Sequence, residues 1–158
     1  MTARIYTMVN QKGGVGKTTT AINLGAYLAK AGQRVLIVDL DPQANATSCL
    51  GVDKQTVKHG TYETLIGISP AAAGLLTNPT LGLTLLPSSS ALAGAEVELV
   101  SQQGRDTRLR HALEPLAERF DYILIDCPPS LSLLTVTGLV AAKDGVIISV
   151  QCEYMAVE

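Results

Sequence analysis

Aromatic side chains are nearly missing from this chain: tryptophan is absent, phenylalanine occurs once and tyrosine five times, together 4% of residues. Tyr6, Tyr27, Tyr62, Tyr122 and Tyr154, with Phe120, are scattered, so no stacking platform for single-stranded nucleic acid is expected. Charge is sparse as well. Charged residues make up 16% and the formal net charge is -2, which gives no bulk support for nucleic-acid binding. Cys49, Cys127 and Cys152 lie far apart; they lack the C-x-x-C pairing of most zinc and redox sites and are expected to be free, mostly buried thiols. No apolar run approaches the ~20 residues that span a bilayer, and the polar start carries no cleavable apolar segment. A cytoplasmic protein with no membrane association is expected.

What the chain does have is apolar patterning. With 47% hydrophobic residues over 158 positions, it can bury one ordinary core, and a single domain over 1–158 is expected. Five β-rich runs stand out: Arg4–Val9, Arg34–Asp39, Leu83–Pro87, Tyr122–Asp126 and Gly145–Val150. Four of them are almost continuously apolar, as parallel strands covered on both faces are. Ala21, Leu24 and Leu28 fall at helical spacing before a stop at Gly32, predicting a helix from about Gly16 to Ala31. Strand, glycine-rich turn, helix and strand form a βαβ unit. The stretch Arg105–Arg119 is helical in composition, and Pro115 should kink or split it. Its Arg105, Arg108, Arg110 and Arg119 are interleaved with Asp106, Glu114 and Glu118, which reads as a solvated helix rather than a basic face. His59 and His111 are isolated. From Gly51 to Thr80, Gly, Thr and Pro are frequent and the periodicity is weak.

The segment "NQKGGVGKTTTA", Asn10 to Ala21, follows the first strand and opens the first helix. Glycines at such a turn let consecutive backbone N–H groups converge on an anion, and the helix N-terminus adds partial positive charge. Phosphate is the natural guest. Lys17 would reach the β- and γ-phosphate oxygens and the Thr18 hydroxyl would complete Mg²⁺ coordination. The strict spacing G-x-x-x-x-G-K-[ST] is not met, because its first glycine falls on Gln11. Asp39 and Asp41 follow an apolar strand directly, at the carboxyl edge where ligands of α/β sheets bind; as alternatives they are capping or turn residues before Pro42. Asp126 closes another apolar strand, with a strand-end turn before Pro128 as its alternative.

The departure at Gln11 is informative. "KGGVGKTT" resembles the deviant phosphate loop of the ParA/MinD family of ATPases, in which a signature lysine precedes the glycines; here that is Lys12. "VDLDPQANATSCLG", "LPSSSALAGAEVELV", "YILIDCPPSLSLLT" and "VQCEYMAVE" resemble the family's later motifs in order, closest to the ParA/Soj partition branch. The resemblance implies an α/β fold with a mostly parallel doubly wound sheet of the P-loop NTPase type. It implies ATP and Mg²⁺ as cofactors, with Lys12, Gly13, Gly14, Val15, Gly16, Lys17, Thr18 and Thr19 around the phosphates. Asp41 would orient the attacking water, Asp39 would join the Mg²⁺ and water network, and Thr18 and Asp126 would hold the metal, Asp126 through a water. Lys12 would act across an ATP-dependent homodimer. The implied function is a slow, stimulated ATPase working as a dimerisation switch in chromosome or plasmid partitioning, nucleoid-associated, with non-specific DNA and a ParB-type centromere-binding protein as partners. A MinD-like membrane switch and a metabolic ATP-dependent enzyme are the alternatives. Thr137, Ser149, Met155 and Cys49 depart from common family residues, all outside the phosphate motifs. Family members also continue beyond this length, so the domain is expected to lack its C-terminal part.

Overall fold

The computed structural model describes residues 2–152. Tyr154 and Met155, noted in the sequence, lie outside them. The strands are β1 (Arg4–Val9), β2 (Val35–Asp39), β3 (Leu76–Asn78), β4 (Leu83–Leu86), β5 (Tyr122–Asp126) and β6 (Gly145–Ile148). The helices are α1 (Lys17–Lys30), α2 (Asn45–Cys49), α3 (Thr61–Ile66), α4 (Leu92–Glu98), α5 (Arg108–Leu113) and α6 (Leu133–Ala141). The strands form one sheet in the order β3-β4-β2-β5-β1-β6. All neighbours are parallel except β3, which runs antiparallel to β4 at one edge.

Period-2 alternation along β2 explains the layering. Val35 and Ile37 join a buried cluster with Ala21, Leu83, Leu85 and Leu124, on the face covered by α1. Leu36 and Val38 point into the opposite cluster with Leu65, Leu92, Leu113 and Leu134, from α3 to α6. The sheet is thus wound on both faces, which accounts for the continuous apolar runs of β2 and β5. β6 departs from that expectation. As an edge strand it leaves Val146 45% and Ile148 63% exposed.

Pro115 acts as the sequence predicts. The stretch resolves into the short helix α5 between two 3₁₀ turns, and Pro115 sits in the second, Glu114–Leu116. The arginines here serve the fold: Arg105 donates to the Val100 carbonyl, and Arg108 donates to the Leu65 carbonyl and the Gln102 side chain. The expectation of mostly buried thiols is corrected. The three cysteines are free, but only Cys127 is buried, while Cys49 and Cys152 are exposed. Cys49 ends the short α2, whose inward positions are taken by Ala46 and Thr47.

α6 approaches the sheet closely because residue 138 is glycine. A Cβ there would lie 2.7 Å from Cys127 Sγ, 3.1 Å from Leu40 Cδ2 and 3.3 Å from Thr7 Oγ1. These neighbours are buried and packed, so Gly138→Val should overpack the junction and destabilise the fold by about 1–3 kcal/mol. Urea unfolding checks this, and an unchanged midpoint would mean that the junction has slack.

Candidate functional site

The loop between β1 and α1 lies at the carboxyl edge of the sheet. Gly14 (φ 73°) and Gly16 (φ 87°) hold left-handed conformations, which cost glycine little and turn successive N–H groups to one side. α1 begins without a side-chain cap and without an acidic residue in its first turn, leaving its terminal N–H groups and dipole open to an anion. Lys17, only 7% exposed, donates from Nζ to the Lys12 carbonyl at 3.3 Å, so its ammonium lies back along the loop. Together these residues line a cleft of about 350 Å³ bounded by Gly13 to Thr19, Asp41, Asn45, Cys49 and Pro129.

Three carboxyl groups gather at and behind this cleft. Asp39 and Asp126 are register partners on β2 and β5, and both are fully buried. Asp39 is saturated by the protein: Oδ1 accepts from the Asp41 amide at 3.1 Å, and Oδ2 accepts from the Thr47 amide at 2.8 Å and the Thr47 hydroxyl at 2.7 Å. Asp126 is only half satisfied. Its Oδ2 accepts a 2.6 Å bond from the Thr18 hydroxyl, whereas its buried Oδ1 has no partner. Burial pushes Asp126 up to about 7, opposed by the Thr18 hydroxyl and reinforced by Asp39 and Asp41. Burial likewise raises Asp39 to about 6, opposed by its bonds from Thr47 and Asp41. Asp41 is 6% exposed, and its Oδ1 accepts the Gln43 amide at 2.9 Å. Its carbonyl takes the Ser88 hydroxyl at 2.8 Å.

The donor set suits a hard divalent cation. Mg²⁺ needs oxygen ligands and usually takes one or two from protein, leaving others to water and phosphate. Thr18 Oγ1 beside Asp126, with an orphaned carboxylate oxygen next to it, meets that need. No cluster of three or more His, Cys, Asp or Glu side chains that could hold a metal unaided occurs among the described residues. Of the residues predicted from sequence, Gly13 to Thr19 and Asp41 line one cleft and Asp126 is tied to it through Thr18. Asp39 stands behind them. Lys12 is half-buried at the start of the loop. Sequence reasoning missed Thr47 and Ser88, although both sit in motifs quoted for the family resemblance. Ser88 donates its amide to Thr47 Oγ1 at 2.9 Å and its hydroxyl to Asp41, fastening the end of β4 to the carboxylate group. Cys127 does not join the site: burial raises its thiol to about 12, and it contacts Thr7 Oγ1 at 3.1 Å.

Comparison with known proteins places the chain in a family. The protein-family profile described as "AAA domain" matches residues 3–158. The chromosome partitioning protein ParA of Myxococcus xanthus is 54% identical over 155 residues, 98% of this chain and 54% of its own length. The sporulation initiation inhibitor protein Soj of Bacillus subtilis is 50% identical over 155 residues, 98% of this chain and 61% of its own. A crystal structure described as cobyrinic acid a,c-diamide synthase from Mycobacterium smegmatis, with bound ATP analog and magnesium, superposes with a TM-score of 0.93 at 46% identity. It covers 96% of this chain and 61% of that one. The chain therefore spans between half and two thirds of the length of these relatives.

The raised carboxyl pKa values have a definite consequence for the apo protein. Asp126 and Asp39 lie above their ordinary value of 3.8, so the folded state retains protons that the unfolded chain has released. Stability must then fall as pH rises from about 4 to about 7 and level off above that. Asp126→Asn, neutral throughout, should remove much of the fall above pH 6 and recover on the order of 2 kcal/mol at pH 8. Thermal unfolding in magnesium-free buffer across this range provides the check. A wild-type midpoint that climbs between pH 5 and 8, with no flattening in the variant, would contradict the protonated-carboxyl description.

Proposed function

We propose, from the premise that this chain belongs to the AAA domain family and to its ParA/MinD group of deviant Walker-A ATPases, that it is the nucleotide-switch portion of a partitioning ATPase. One observation carries the reading: the glycine-turn cleft brings Lys17, Thr18 and Asp41 together, with Asp126 fastened to Thr18. Backbone N–H groups from Gly13 to Thr19 and the α1 dipole bind the ATP phosphates, with Lys17 leaving the Lys12 carbonyl for phosphate oxygens. Thr18 and Asp126 would hold a Mg²⁺ ion, which would supply charge neutralisation at the phosphates. Asp41 orients and polarises the attacking water. Asp39 belongs to the same network as its buried base, fixing the Asp41 amide.

Phosphoryl transfer to water depends on positioning and charge stabilisation. With Lys17 as the resident cation, a second cation is needed in the transition state for speed. Lys12 of a second copy fills that role in trans, so hydrolysis is slow in the monomer and follows ATP-dependent dimerisation. The proposal for the whole protein is a partition switch, cytoplasmic and nucleoid-associated, that binds non-specific DNA in its ATP state. A ParB-type partner stimulates it to hydrolyse. No helix among the described residues is long and apolar enough to cross a membrane. The similarity to a structure described as cobyrinic acid a,c-diamide synthase supports a second reading, an ATP-dependent metabolic enzyme on the same fold. Phosphate release that requires a carboxylic acid substrate rather than DNA would select it.

Three variants of the full-length protein test the switch. Lys17→Ala should weaken Mg-ATP binding at least about tenfold, through loss of charge-assisted contacts. Lys12→Ala should keep monomeric binding but lose both the ATP dimer and hydrolysis. Asp41→Ala should hydrolyse at least about a hundredfold more slowly and accumulate as a long-lived ATP dimer. Light scattering with ATP and phosphate release read all three; a Lys12→Ala protein that dimerises and hydrolyses normally overturns the in-trans reading.

A further inference from the structure

Lys12 needs more than a suitable position in the chain if it is to reach a second copy. Its peptide is held from both sides. The Lys12 amide donates to Asn10 Oδ1 at 2.9 Å, and the Lys12 carbonyl accepts Lys17 Nζ at 3.3 Å. The same Asn10 carboxamide reaches the other way, donating from Nδ2 to the Ser149 carbonyl at 2.8 Å. β1 and β6 pair in parallel register up to Val9 opposite Ile148. Asn10 and Ser149 are the next pair in that register, so the side chain continues the ladder where the backbone turns away into the loop.

We infer that Asn10 is a positioning residue for Lys12, a two-way clamp that fixes the start of the phosphate loop against the end of β6 and so sets where the Lys12 side chain emerges. The inference rests on the in-trans reading of Lys12. Carboxamide chemistry suits the task, because one group must accept from an N–H and donate to a C=O at once. Aspartate could accept but would repel the carbonyl. Serine can form the local turn but is too short to bridge strands. Gln151 makes a second tie of this kind, donating from Nε2 to the Gly14 carbonyl at 2.9 Å. That contact secures the glycine turn, whereas Asn10 holds the Lys12 amide.

The clamp lies on the β6 side of the loop, away from Thr18 and Asp126, so its loss should be felt by Lys12 before it is felt by the nucleotide. Asn10→Ala in the full-length protein should weaken the ATP-dependent dimer about tenfold, the scale of two lost hydrogen bonds. The turnover number should fall in parallel, while monomeric Mg-ATP affinity stays within about twofold. Asn10→Ser, which keeps a turn acceptor without the bridge, should lie between Asn10→Ala and wild type. Dimer affinity by analytical ultracentrifugation with a slowly hydrolysed ATP analogue, and monomer affinity by fluorescent nucleotide titration, separate the two effects. If Asn10→Ala lowers monomeric nucleotide affinity as much as it lowers dimerisation, Asn10 supports the cradle generally and the assignment fails. It also fails if Asn10→Ala dimerises and turns over like wild type while Lys12→Ala does neither. A Lys12→Ala protein that behaves as wild type removes the parent reading instead.

Discussion

Two carboxyl groups sit side by side, fully buried, at the ends of adjacent parallel strands, and much of the local structure answers to that constraint. Asp39 and Asp126 are register neighbours, about 4.8 Å apart by ordinary strand spacing, on the face of the sheet that α1 covers. Like charges so placed oppose each other and oppose burial. The two are resolved differently. Asp39 receives the Thr47 amide and hydroxyl and the Asp41 amide, so it has become a structural anchor from which α2 starts. Asp126 receives only the Thr18 hydroxyl and keeps one buried oxygen unmatched. A group left half satisfied inside a protein is a cost that folding alone does not explain, and a cation on the cleft side would remove it.

The fold was legible where the signal was local and strong. β1 and β5 were bounded from sequence to the residue, and the other expected strands shortened by one or two positions, because buried parallel strands read as unbroken apolar runs. The edge strand β3 escaped notice: three residues, Leu76 to Asn78, with two of them exposed, carry too little apolar periodicity to register. It lies in the stretch from Gly51 to Thr80 that had no clear pattern. The helices α2 and α3 are five and six residues long, below the length at which a 3.6-residue repeat can be recognised. They are held by tertiary bonds instead, as where Thr61 Oγ1 donates to the Asp39 carbonyl at 2.6 Å.

The site divides along the same line. Its glycine turn is a contiguous run, so the glycines, lysine and threonine that line the cleft could be grouped from spacing and turn chemistry. The carboxylates could be placed at the carboxyl edge because their strands were recognisable. What could not be read were partnerships between distant segments. Ser88 and Asp41 are 47 residues apart and Asn10 and Ser149 are 139 apart. A serine after a strand or an asparagine before a glycine turn has nothing in its own neighbourhood that points to the carbonyl it will meet. The division of labour between Asp39 and Asp126 was equally hidden. Both end apolar strands, and the bonds made by Thr47 and Thr18 distinguish the saturated carboxylate from the half-satisfied one.

The backbone beside Asp41 shows how tightly that anchor is used. Ala44 is in the left-handed region at φ 54°, a conformation that costs a residue with a Cβ about 1–2 kcal/mol. The turn is closed by the Ala44 amide on the Asp41 carbonyl at 2.8 Å, the same carbonyl that accepts Ser88. Ala44 is fully buried, so the strained residue also fills core space. Bending the chain here lets Thr47 return to Asp39 while Asp41 and Asn45 remain on the wall of the cleft. A relaxed turn would let Asp41 swing with its loop. The strain, offset by the buried bonds of Thr47 and Ser88, keeps a carboxylate at the cleft wall on a backbone tied to the sheet. Lys12, at the start of the glycine loop, is treated in the same way, its amide and its carbonyl each held by a side chain. Asp41 and Lys12 thus both leave a backbone fixed by other residues, which limits where each side chain can point.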